Sequence, residues 1–516
     1  MSIGQGSEVL RASGSPLDEI RFIENGTLRL DGLILQLRNK RADLLRRLNT
    51  IHSSTSVLPY EIISSIFQHV SPPIDFESRD FRTEYAHRPV TVYQLTKKSD
   101  FEDPGPFIPV MLGVISSHWR SIAWSTQELW TSIALEVKEA KAQSQACLLD
   151  LYFRNAKDLR VSLELDFREY FRSNRAQNSS GDESALAPMH AVILKYASKI
   201  HSFRLSAVPS GWVNTLSGVF TSLADLALGW PTNGQVNPSH QFSFVDIVTL
   251  RRVTIRRLWA PLKLPWTQIV VLDLDRMTID TCVELLIGCR NLEEYSVREP
   301  SFTPSDRRHP SLDGIITLDN LRNLIWSCLP DAWSIAMLDH VRFSRLEQLE
   351  WHGFPGDQNR NRFRGFFAQL PLTLQTLGLA RCDSSEGLHD ILSNVPQLAH
   401  LRLLACQSRF CLSVIHCLTP HISRETQEPV LLPVLSFLTV DRCDEMQQFG
   451  LKGSLLFQEF LVMLRGRSTA LTNQDFGLHF KPHIRWRTEV QQILKKAVRE
   501  GVNLKIVEGD KVVDWL

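Results

Sequence analysis

The sequence predicts an α/β chain: a few helices near the N-terminus, then a long array in which strand and helix alternate. Three observations carry that expectation. An apolar triplet spaced i, i+3, i+5 returns ten times between Ile200 and Val440. Segments with helical apolar spacing lie between several of the copies. A separate stretch near the N-terminus carries the caps, prolines and one-sided apolar runs that start and stop short helices.

The triplets begin at Ile200, Leu223, Leu250, Ile269, Leu292, Leu321, Leu346, Leu374, Leu398 and Leu435. Their alternate apolar residues suit a strand with one buried face. Successive starts are 19 to 37 residues apart, mostly in the twenties, and this rhythm resembles leucine-rich repeats. The resemblance implies an irregular solenoid, with parallel strands on one side and helices on the outer side. Helices are expected at 278–289, 331–341 and 385–395, and long polar surface loops at 168–186, 300–316 and 407–433. A helix over 487–501 and a strand over 502–507 suit a terminal cap. Cys382, Cys406 and Cys443 each fall three residues after the last apolar residue of a triplet, where such repeats turn a small side chain inward. Cys411, His416 and Cys417 match no usual zinc spacing, so no metal is expected.

Upstream, residues 1–27 read as a flexible tail and 28–52 as an amphipathic helix. Leu30, Ile34, Leu37, Leu44, Leu48 and Ile51 make a heptad seam broken by Arg41. Packing onto its own chain and pairing with a second helix are both open. Residues 53–137 form a helical module. Pro59 suits a first turn, and Ile62, Ile63, Ile66, Phe67 and Val70 share a face up to Pro72 and Pro73. A second helix is expected over 109–124, and Ser125 with Glu128 has capping-box spacing ahead of Leu129 and Trp130. The prolines and charges of about 71–108 suggest a surface loop.

The ordered set LPYEIISSIF (58–67), ISSHWRSIA (115–123) and QELWTSI (127–133) resembles the F-box motif. The arrangement is similar to the large F-box family of mushroom-forming fungi, in which a heptad helix and a loop recur at these places. Ile115 and Ser116 depart from the Val-Cys that the motif often has there. The resemblance implies a substrate-recruiting subunit of a cullin–RING ubiquitin ligase. The module would dock a Skp-family adaptor, and through it a cullin, while residues 138–516 bind a substrate protein. It assigns Leu58, Pro59, Glu61, Ile62, Ile66, Phe67, Trp119, Leu129 and Trp130 to partner binding. The two tryptophans suit a core equally well, and a scaffold with no ligase role is the alternative reading.

Composition narrows the classes further. The chain has 516 residues, 43% of them hydrophobic, enough to fold most of its length. Lysine plus arginine number 57 against 56 acidic residues, which gives no case for a surface that tracks phosphates. The basic-aromatic stretch 479–487 stands isolated. Nine cysteines, an odd number spread thinly, argue against a secreted disulfide framework. No signal-peptide core or membrane span is visible, so a cytoplasmic or nuclear protein is expected. P-loop, dinucleotide, serine-hydrolase and zinc-protease motifs are all missing, so neither enzymatic activity nor a cofactor is expected.

Overall fold

The structure is a computed structural model that describes residues 16–52, 58–70, 108–171, 183–216, 218–229, 242–257, 262–303, 314–353, 359–420, 430–441, 455–470, 476–480, 486–508, 511–513 and 516. The chain divides into two compact units: Met1–Ser132 with Tyr152–Leu159, and Ile133–Leu151 with Arg160–Leu516. Residues 71–107 of the loop expected at about 71–108, and Cys443, lie outside the described residues.

The first unit is helical. Helix α1 runs Pro16–His52, well upstream of the expected start. Proline is tolerated in a first turn, and Glu19 favours a helix N-terminus, so the segment read as a tail is helical from Pro16. Helix α2 is Tyr60–Val70. The single helix expected over 109–124 is two, α3 (Ile108–Ile115) and α4 (Ser117–Ser125). Ser116 separates them: its backbone is extended, and its hydroxyl accepts from the Trp119 backbone N–H at 3.0 Å, capping α4. The expected capping box is absent. Thr126, not Ser125, precedes the short turn Gln127–Trp130, and its side chain makes no cap bond there.

The second unit is built on a 15-stranded sheet among the described residues. Strands follow chain order, and each from Val161–Asp166 to Leu504–Glu508 pairs in parallel with the next. The final strand, Lys511–Val512, turns back antiparallel. In all ten triplets the second and third apolar residues lie in a strand and the first lies before it or opens it. Register then stacks like on like: Leu377 faces Leu349 and Leu401, and Leu379 faces Trp351 and Leu403. These columns are buried, while the intervening residues form a more open face. The sheet starts at Ser132–Glu136, ahead of the expected boundary at 138.

The expected helices appear as Ile279–Gly288, Ala332–His340 and Leu388–Ser393. Part of 407–433, read as a polar loop, is instead the helix Ser408–Leu418 with Phe410, Cys411, Val414, Ile415 and Leu418 buried. Helix Arg360–Phe367 drives three phenylalanines into the core, and the Phe363 ring meets Trp351 edge-on at 4.9 Å. Among the described residues, seven strands are left through a residue of positive φ: Ala207, Arg257, Arg276, Glu299, Gly353, Arg381 and Ala405 each follow a strand's last residue. The N–H groups of Ala207, Arg257, Arg276, Gly353, Arg381 and Ala405 bond the end of the next strand, as from Arg381 to Leu404 O at 2.8 Å and from Ala405 to Asp441 O at 2.7 Å. That recurring bond offsets a left-handed backbone cost of about 1–2 kcal/mol for a non-glycine residue.

Cys382 and Cys406 are buried, and the Cys406 thiol donates to Leu379 O at 3.2 Å. The adjacent Cys406 and burial hold the Cys382 thiol well above its ordinary range. Both cysteines are therefore expected to resist a thiol reagent until the protein unfolds, while the exposed Cys147 reacts at once as an internal standard. Mass spectrometry of peptides from native, labelled protein checks this. Native labelling of Cys382 and Cys406 at the Cys147 rate would contradict their placement.

Candidate partner-docking face

Helix α2 owes its place to one packed side. Ile63 and Phe67, one turn apart, are buried at 2% and 1% exposure. The Phe67 ring lies 4.9 Å from that of Trp119 on α4. Polar bonds fix the same side: Tyr60 donates to Ser125 Oγ at 3.0 Å, and the Ser64 and Thr126 hydroxyls share a bond of 2.9 Å. Helices α3 and α4 are held together at Gly113, where any Cβ would stand 2.3 Å from the Trp124 ring. Arg120 Nε donates to the Gly113 carbonyl at 2.7 Å.

The opposite side of α2 carries the surplus. Ile62, Ile66 and Val70 recur every fourth residue, which aligns them in one stripe, and they and Leu58, two residues ahead of the helix, are each between 39% and 54% exposed. Pro59 and Glu61 are exposed beside them, with Glu61 in the first turn, where its charge suits the helix dipole. Met111, Val114 and Ile115 give α3 an exposed apolar set of its own. These large apolar side chains are accessible to water in the folded unit.

The structure divides the nine residues assigned to partner binding. Leu58, Pro59, Glu61, Ile62 and Ile66 are accessible. Phe67, Leu129 and Trp130 are buried, and their assignment to a partner surface is corrected to the module's own core. Trp130 donates from Nε1 to Ala123 O at 2.8 Å, and its ring packs against Trp124 and Tyr152. Trp119 is half-buried against Phe67. Val70, Met111, Val114 and Ile115, outside that assignment, are exposed apolar residues of α2 and α3. Steps of four from Leu58 would have found Val70, because residues at i and i+4 share a face whereas i and i+1 do not.

The open strand face of the second unit is charged and cross-braced. Arg256 pairs with Asp275 on the adjacent strand, and Arg298 with Asp273 at 3.0 Å. Glu299 meets Arg276 at 3.0 Å and Arg381, 82 residues on, at 3.1 Å. Burial raises the Glu299 pKa, but the two guanidiniums outweigh it and hold the carboxyl below its ordinary value. Farther along, Phe437 is 41% exposed and lies across Gly477, where a Cβ would stand 2.3 Å from its ring. Next to it His400 Nε2 shares a 2.7 Å hydrogen bond with Thr439 Oγ1. Among the described residues, no three His, Cys, Asp or Glu side chains are grouped to hold a metal, and no helix is long and apolar enough to cross a membrane.

Burial, followed by the charges of Arg402 and His479, pushes His400 down to about 4. A histidine depressed in the fold binds fewer protons there than in the unfolded chain. The stability linked to it is thus complete above about pH 6.5 and lost as pH falls toward 4. Because the group is partly solvated, the loss is expected to be about 1–2 kcal/mol. His400→Gln should flatten this part of the stability profile, read from urea midpoints at pH 7 and pH 5. An unchanged slope would remove His400 as its source.

No family model matches this chain, and no match was found among curated proteins.

Proposed function

We propose that this chain is the substrate-recruiting F-box subunit of a cullin–RING ubiquitin ligase. In this reading residues 53–137 are the F-box module, and Leu58, Pro59, Ile62 and Ile66 insert into an apolar surface of a Skp-family adaptor. The second unit is an irregular leucine-rich-repeat domain that offers its charged open face to a substrate protein. The observation that carries the reading is the apolar stripe on α2, left in water although the helix has already packed its other side. It falls on the Leu-Pro-x-Glu and Ile-Phe segment of the resemblance. The chain performs no chemistry itself in this scheme; holding substrate near activated ubiquitin raises its effective concentration and so speeds transfer. Such a role places the protein in the cytoplasm or nucleus.

The test is direct. The purified full chain, titrated with a purified Skp-family adaptor, is expected to form a one-to-one complex that also retains a cullin. Folded protein that fails to bind the adaptor would leave a repeat scaffold with no ligase role.

A further inference from the structure

Helix α1 spans 37 residues, about 55 Å at 1.5 Å per residue, and its apolar side chains face outward. Leu30, Ile34, Leu37, Leu44 and Leu48 follow steps of three and four with Arg41 at the position between Leu37 and Leu44, and all five are between 47% and 66% exposed. Ile20 and Ile23, also exposed, carry the same register upstream. A helix this long gains most of its stability by covering such a seam, and heptad spacing is what a second helix covers.

Charge identifies the occupant. Residues 16–32 hold four acidic and two basic side chains, net −2, whereas residues 33–52 hold five basic and one acidic, net +4. A second copy laid parallel would set the basic half on the basic half. Laid antiparallel, each acidic half meets a basic half, and the two helix dipoles oppose as well. The register agrees. When Ile34 faces Leu37 of the second copy, Leu48 faces Ile23, and Asp31 and Arg38, each one residue past a seam leucine, lie on the same flank with an offset of two residues, about 3 Å along the axis. They therefore meet twice by symmetry. Arg41, the charged residue within the seam, enters the layer of Leu30 with Asp31 beside it, a polar contact of the kind that fixes register.

We propose that α1 pairs with α1 of a second copy in an antiparallel two-stranded coiled coil, making the full chain a homodimer. The proposal rests on α1 alone and stands or falls independently of adaptor docking. Sedimentation equilibrium of the full chain at tens of micromolar is expected to give twice the chain mass. Ile34→Asp with Leu37→Asp, both at exposed positions, should weaken the dimer about a hundredfold or more. Asp31→Arg should also weaken it, and adding Arg38→Asp should restore it. Orientation is read by disulfide trapping in a Cys147→Ser background. Ile23→Cys protein mixed with Leu48→Cys protein should cross-link, and neither should cross-link alone. A chain that stays monomeric, one whose dimer survives the paired aspartates, or one that cross-links through Ile23→Cys alone would overturn the proposal.

Discussion

Leu58→Ala combined with Ile62→Ala is expected to abolish capture of a Skp-family adaptor while leaving the denaturation midpoint nearly unchanged. The two residues are 39% and 49% exposed, so truncating them removes little that the folded chain buries. Surface changes of this kind shift stability by about 0.5 kcal/mol or less. Interface anchors commonly cost about 2 kcal/mol or more each, so the pair would weaken binding roughly a thousandfold. Neighbouring Ile63 and Phe67 supply the contrast, since they point the other way and are almost wholly buried. Ile63→Ala should lower the melting transition by an amount typical of a core truncation, about 2–5 kcal/mol. Calorimetric titration beside a urea curve for each variant separates the two sides of one helix. A double variant that melts early yet binds normally after refolding would make this stripe structural and remove the support for adaptor docking.

The strand array was legible because its signal is local and repeated. Each triplet places two apolar residues on one side of a strand, and a mean period of about 26 residues leaves room for one return segment. Strands outside the triplet pattern were harder. Val161–Asp166 alternates apolar and polar residues with a different entry, and Ser132–Glu136 lies where the helical module was still expected. The helix Ser408–Leu418 was hidden because Arg409, Ser413 and His416 dilute an apolar face that becomes clear only at helical spacing. The left-handed exits were invisible, since arginine, glutamate and alanine occupy most of them in place of glycine. At the candidate site the motif located α2, but motif letters do not say which side a residue faces. Ile66 and Phe67 stand side by side in the sequence and belong to opposite surfaces. For α1 the seam was visible from Leu30 onward, whereas its extension to Ile20 depended on a helix start that polar residues had masked.

Trp130→Ala is expected to destabilise the first unit by about 3–5 kcal/mol, and to reduce adaptor capture only through that loss of fold. The side chain is fully buried, with its ring 5.1 Å from Trp124 and 4.9 Å from Tyr152 in edge-on contacts. Its indole donates to Ala123 O at 2.8 Å, so alanine leaves both a cavity and a buried carbonyl without its donor. Since a small protein unit has a total stability of about 5–15 kcal/mol, much of the margin disappears with one side chain. Trp130→Phe keeps most of the volume and should fall between the parent and alanine. Far-ultraviolet circular dichroism during urea unfolding gives the stability, and adaptor titration at a temperature where the variant is still folded gives the binding. Normal melting of Trp130→Ala together with lost binding would show that this tryptophan touches a partner after all, and would reverse its assignment to the core.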